Sequence, residues 1–173
     1  MFSIFGNVLA QENLTNEPFD LSEYEDEIKE SGIPTPDEVE SLKNNAINLF
    51  NEGSYQEAEK ALDQWAKSSN WLANIVVSGL EPFYGASYDD RDSFSYSKVK
   101  KISSYEGLAN DLKSERNKAM VMRAEALSNL NNNEKAVQLY IKSLDLIDID
   151  NWDLWIRAAN GLYEIANIEQ IEK

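Results

Sequence analysis

Cysteine and histidine are both absent from this 173-residue chain. That excludes disulfides, thiol nucleophiles, zinc sites built from Cys and His, and any histidine general base. Glycine and proline are scarce, with 7 and 4 copies. Long stretches contain neither, which favours helices over a turn-rich β fold. Basic residues are outnumbered, 16 against 31 acidic, and the formal net charge is −15. A chain of that sign repels a phosphate backbone, so nucleic acid is not an expected ligand and a basic partner is the natural one. No stretch approaches the ~20 apolar residues that a membrane-spanning helix requires. A Gly-rich phosphate loop and a Gly-x-Ser-x-Gly elbow are also missing. The sequence therefore reads as a non-enzyme that needs no cofactor.

What is present is enough to fold. Hydrophobic residues make up 42% of the chain, and the length suits one domain with its own core. The clearest stretch spans residues 42–66. Thr35-Pro36-Asp37-Glu38 starts a helix before it, with Thr as N-cap, Pro at the first helical position and acids in the first turn. Leu42, Ala46, Leu49 and Phe50 then recur at three- and four-residue steps, so they share one helical face. Gly53 marks a left-handed C-cap, and Ser54 with Glu57 is expected to form a capping box for the next helix. Ala58, Ala61, Leu62 and Trp65 line that helix's inner face. Small side chains at Ala46 and Ala58 let the two backbones approach closely.

Ala46, Phe50, Gly53, Tyr55 and Ala58 together resemble the tetratricopeptide repeat (TPR), which has a small residue in helix A, Gly-x-Tyr at the turn and Ala early in helix B. Trp65 departs from the pattern, and no Pro closes the unit. Ala124, Leu127, Ala136 and Tyr140 resemble a second unit without the Gly-x-Tyr. The resemblance implies an all-α fold: a short TPR-like solenoid of helical hairpins with a degenerate middle unit and a C-terminal capping helix.

The remaining elements follow in order. Residues 1–34 form an acidic N-terminal segment, and 35–173 the TPR-like domain. Between residues 17 and 40 there are ten acids and one base, Lys29. Ser22 with Glu25 can cap a short helix over 23–30. Asn70 is expected to open a separate, largely buried helix over 71–80, ended by Pro82. An aromatic and Asp-rich insertion follows at about 82–102, and a helix capped by Ser103 runs over about 104–130. Asn131-Asn132-Asn133 makes the next turn, residues 134–147 form the partner helix, and residues 150–153 cap a final helix. Asp89, Asp90 and Asp92, like Asp148, Asp150 and Asp153, lack the spacing of a calcium loop, so no metal is expected.

In TPR-like folds the groove is lined by helix A. Carried over residue by residue, the resemblance implies Lys43, Ile47, Phe50 and Asn51 in the first unit and Lys118, Val121, Glu125, Ser128 and Asn129 in the second. In the last helix it implies Trp152, Trp155 and Tyr163. Family members that grip a C-terminal carboxylate use Lys and Asn. Lys43 and Lys118 are similar to that set, but Ile47 stands where Asn would be. The resemblance implies a protein- or peptide-binding adaptor. The alternative is an acidic inhibitor or immunity protein that binds a basic enzyme, steered by the negative charge. The expected location is cytoplasmic, or outside the cell if residues 1–10 are the end of a signal peptide. From Lys98 to Arg123 the sign reverses, with seven bases against three acids. The acidic segment is expected to latch weakly onto that basic helix.

Overall fold

The computed structural model describes Lys29 and residues 32–172. The chain divides into Met1–Gly32 and Ile33–Lys173. Of the expected 23–30 helix only Lys29 is described, and it is helical; the signal-like residues 1–10 and most of the acidic latch lie outside the described residues. Among the described residues there are six helices and no strand: α1 (Pro36–Asn51), α2 (Tyr55–Leu80), α3 (Tyr88–Asp92), α4 (Tyr96–Asn129), α5 (Asn133–Leu146) and α6 (Trp152–Ile165).

Helix α1 begins as the sequence predicts. Thr35 is extended (φ −104, ψ 159), its side chain accepts from the Glu38 N–H, and the Glu38 carboxylate accepts from the Thr35 N–H at 2.8 Å. The Thr35 N–H, with the Thr35 hydroxyl that also donates to Glu38 Oε2 at 3.0 Å, holds the Glu38 carboxyl below the usual range. Thr35→Ala is expected to lower stability by about 1 kcal/mol. A thermal melt checks this, with a fall of ~2–4 °C expected for a chain of this size.

The hairpin turns are built on one plan. Gly53 has φ 76, and the Ser54 N–H reaches back to Leu49 O at 3.0 Å. Asn131 has φ 58, and the Asn132 N–H reaches Leu127 O at 2.9 Å. Both are Schellman ends, with Asn131 taking the left-handed position that Gly53 takes in the first hairpin. The expected Ser54–Glu57 capping box is absent, and Asn151, at the expected 150–153 cap, makes no side-chain cap bond either. Ser54, Asn132 and Asn151 have ψ 58, 59 and 56, well short of the extended value that aims a side chain at the third N–H. In the two hairpins the reason is the short link: the same residue must also close the preceding helix.

Two expected boundaries are corrected. No helix starts at Asn70, because α2 runs unbroken from Tyr55 to Leu80. The Asn70 side chain instead accepts from Arg116 Nη1 on α4 at 2.8 Å, and Ser69 beside it is fully buried. Only the first part of 71–80 is enclosed, at Trp71, Leu72 and Ala73, with Leu80 buried at the end. Likewise α4 starts at Tyr96 and passes through Ser103, so the irregular insertion narrows to 81–95 and contains α3. The expected degenerate middle unit therefore has no helix pair of its own. The residues expected to form it lengthen α2 and α4, which pack antiparallel along the most extensive helix contact among the described residues. Arg123 to Glu59 and Asp63, then Arg116 to Asn70, mark successive rungs of that pairing. At the far end Lys113 Nζ donates to Tyr84 Oη at 2.7 Å, and Arg91 pairs with Glu106 at 2.7 Å.

Helix α4 is the centre of the body. Ala119, Met120, Met122 and Ala126 join Ala46, Ala58, Leu62 and Trp65 in one core. Val121, Ala124 and Leu127 join Ala136, Tyr140, Leu154 and Ala158 in a second. Apolar residues all round a helix bury it from both sides, and residues 119–127 have that pattern.

Candidate functional site

A groove of about 570 Å³ opens where α4, α5 and α6 meet. Helix α4 contributes Lys118 and Glu125, and α5 contributes Tyr140. Helix α6 contributes Asp153, Arg157, Asn160, Gly161 and Glu164, and Gln170 adds a wall from the segment beyond it. The α6 residues recur at three- and four-residue steps, so one face of the helix is turned to the groove while Leu154 and Ala158 anchor it in the second core.

Charge within the groove is mostly paired. Arg157 forks onto Glu125, with Nε to Oε1 at 2.6 Å and Nη2 to Oε2 at 2.5 Å, and this ties α6 to α4. The Glu125 hydrogen bonds raise the Arg157 pKa against the opposing effect of burial. Lys118 Nζ pairs with Glu115 at 3.2 Å. Tyr140 sits at the floor and is only 2% exposed. A Cβ at Gly161 would lie 2.4 Å from both Cζ and Oη of Tyr140, so glycine is what lets α6 pass over it. Beyond α6, Asn167 (φ 54) turns the chain, and the Ile168 N–H bonds to Tyr163 O at 2.9 Å. The returning segment is held by one amide: Asn160 Oδ1 accepts from the Ile171 N–H at 2.8 Å, and Asn160 Nδ2 donates to Ile171 O at 3.0 Å.

Burial, then Glu125 and Glu164, push the Tyr140 hydroxyl above its ordinary pKa, with Arg157 opposing. The fold therefore favours the neutral phenol. An unfolded tyrosine ionises near pH ~10. The stabilisation is complete below that pH and is lost as pH rises above it. Stability is expected to fall above pH ~10 in the parent chain and to fall less steeply in Tyr140→Phe, as denaturant unfolding at pH 9 and 11 would measure.

The residues expected from the sequence are scattered. Lys118 and Glu125 line the groove. Lys43 lies apart from it, paired with Glu40 at 3.4 Å and Glu115 at 3.3 Å. These partners raise its pKa although burial opposes them. Phe50 stacks edge-on against Tyr55 at 5.6 Å, and Asn51 is exposed at the end of α1. Asn129 is exposed and donates to the main-chain oxygen of Glu125 at 2.9 Å. Val121 is fully buried in the second core and faces no groove, which corrects its expected role. Trp152 and Trp155 stack at 5.1 Å with their planes 10° apart. Neither they nor Tyr163 line the groove, because they fall on other sides of α6. Arg157, Asn160, Gly161 and Glu164 were not expected. Their signal is the three- and four-residue spacing that continues from Asp153.

Comparison with known proteins places the chain in no family. No family model matches it, and no solved structure does. A stretch of 53 residues is 40% identical to the MICOS complex subunit MIC60 of Ajellomyces capsulatus strain H143. The same identity and length are found with MIC60 of strain NAm1 / WU24. In each case the match covers 28% of this chain and 8% of the relative. The chain thus spans less than a tenth of the length of the curated relatives it matches. Among the described residues, no helix is long and apolar enough to cross a membrane.

Proposed function

We propose that this chain is a protein- or peptide-binding adaptor built on a small TPR-like array, and that the groove between α4, α5 and α6 is its binding surface. The observation that carries this reading is the groove itself: about 570 Å³, polar side chains from three helices, and a rigid floor at Tyr140. Asn160 already holds a non-helical segment of the same chain through both main-chain groups of Ile171, and an extended peptide offers the same pair of groups. The matching Schellman turns at Gly53 and Asn131 support the repeat-like arrangement. We place the protein in the cytoplasm, with export as the alternative.

Selection from a displayed peptide library tests the reading. A motif should be enriched, and its binding should be lost when the groove is blocked by Asn160→Trp. If no motif is enriched, or if the block leaves binding intact, the adaptor reading fails. The second reading, an inhibitor of a basic enzyme, is favoured by the net charge of −15. A gene for a basic nuclease-like toxin next to this one would support it.

A further inference from the structure

Beyond α6 the chain turns back at Asn167 (φ 54), and residues 168–172 run on without helix. Two points hold them. The Ile168 N–H bonds to Tyr163 O at 2.9 Å. Further along, Asn160 Oδ1 accepts from the Ile171 N–H at 2.8 Å and Asn160 Nδ2 donates to Ile171 O at 3.0 Å. Residues paired across an antiparallel ladder exchange the same two bonds, N–H to O and O to N–H. A carboxamide carries one acceptor beside its donors, so Asn160 answers Ile171 as a neighbouring strand would. Neither bond involves the isoleucine side chain. The contact reads backbone, and another extended segment can make it.

Asn160 shares the groove face of α6 with Arg157, Gly161 and Glu164, and Gln170 of the returning segment is itself a groove wall. The segment is lightly held. Ile168 is 54% exposed, and Glu169, Gln170 and Glu172 are exposed too. Segments with so little buried surface open at low cost. Helix α6 beneath is anchored by Leu154 and Ala158 in the second core, so the segment can leave without disturbing the groove.

We propose that Asn160 is the main-chain anchor of the groove for an extended peptide, and that residues 168–172 are its resident occupant, displaced when that peptide binds. This rests on the adaptor reading and names the anchor and the regulation of the same groove. An incoming peptide takes both Asn160 bonds through one of its own residues. A tethered occupant competes at an effective concentration of about 1 mM. A peptide with an intrinsic dissociation constant of about 0.1 mM is then weakened about tenfold. The segment so excludes weak matches and yields to ligands with further contacts along the groove.

The probe is the segment itself as a capped peptide, Ile-Glu-Gln-Ile-Glu, added to the full chain and followed by amide NMR at ~0.15 M salt, which screens the peptide's charge. Ile168→Pro combined with Ile171→Pro removes the N–H donors to Tyr163 O and Asn160 Oδ1, at positions outside any helix. The peptide should shift the Asn160 and Gly161 amides of this double variant and bind it about tenfold tighter than the parent. N-methylation of the peptide at its second isoleucine, the counterpart of Ile171, should abolish binding. Asn160→Ala added to the double variant should do the same. Equal affinity for the parent and the double variant overturns the proposal, because the tethered segment then does not compete. Binding that survives N-methylation or Asn160→Ala overturns it too. So does the absence of binding to the double variant at millimolar concentration, which makes the segment a fixed cap of α6 and no more. The adaptor reading is judged separately, by whether the displayed library yields a motif that Asn160→Trp blocks.

Discussion

Ala58→Trp is expected to unfold the first hairpin. Ala58 is 0% exposed and packs in the same core as Ala46, also 0% exposed, between α1 and α2. Forcing one or two extra methylenes into a packed core costs about 1–3 kcal/mol, and an indole adds many more atoms than that. A loss above ~3 kcal/mol is a large share of a domain's ~5–15 kcal/mol. The neighbouring core offers no relief, because Trp65 and Leu62 on the same helix are themselves fully enclosed. The melting temperature should fall by ~6–12 °C or the variant should fail to fold, taking ~2–4 °C per kcal/mol. Gln56→Trp, two residues away on an exposed position, should stay within about 0.5 kcal/mol of the parent. An unchanged melt for Ala58→Trp would show that the two helices are not packed as described.

Gly161→Ala should destabilise the other end of the molecule. In an exposed helix the same change stabilises by up to ~1 kcal/mol, since glycine is the more flexible residue. Here the added methyl would overlap the Tyr140 ring, and that ring is enclosed by Leu127, Ala136 and Leu154 and cannot retreat. The overlap costs about 1–3 kcal/mol and outweighs the helical gain. A double-mutant cycle separates the two contributions. With Tyr140→Leu in place the clash is gone, and Gly161→Ala should become neutral or stabilising. If Gly161→Ala destabilises both backgrounds equally, the contact with Tyr140 is not the cause.

The sequence alone determined the local features whose physics is contained within a few residues. Thr35-Pro36-Asp37-Glu38 specified a helix start because the cap bonds span only three residues. Gly53 specified the first turn because a left-handed backbone is cheapest for glycine, and Asn131 tolerates the same conformation in the second. The inward faces of α1, α2 and α5 were legible from their spacing. That the described part is built of helices and no strand was legible too, since nothing in it alternates in the manner of a strand.

Tertiary structure decided what depended on partners distant in the chain. Asn70 looked like a helix start, but its amide bonds to Arg116, 46 positions along the chain, and α2 continues through it. Ser103 looked like another start, but α4 reaches back to Tyr96 through the same kind of local ambiguity. Val121 shared a repeat position with groove residues, yet the second hairpin encloses it because α4 is packed on two sides. Trp152 and Trp155 stack on each other away from the groove. The groove was instead made from Arg157, Asn160, Gly161 and Glu164, whose common face has meaning only once α6 lies across Tyr140. A helical period shows which residues share a face, and only packing decides what that face meets.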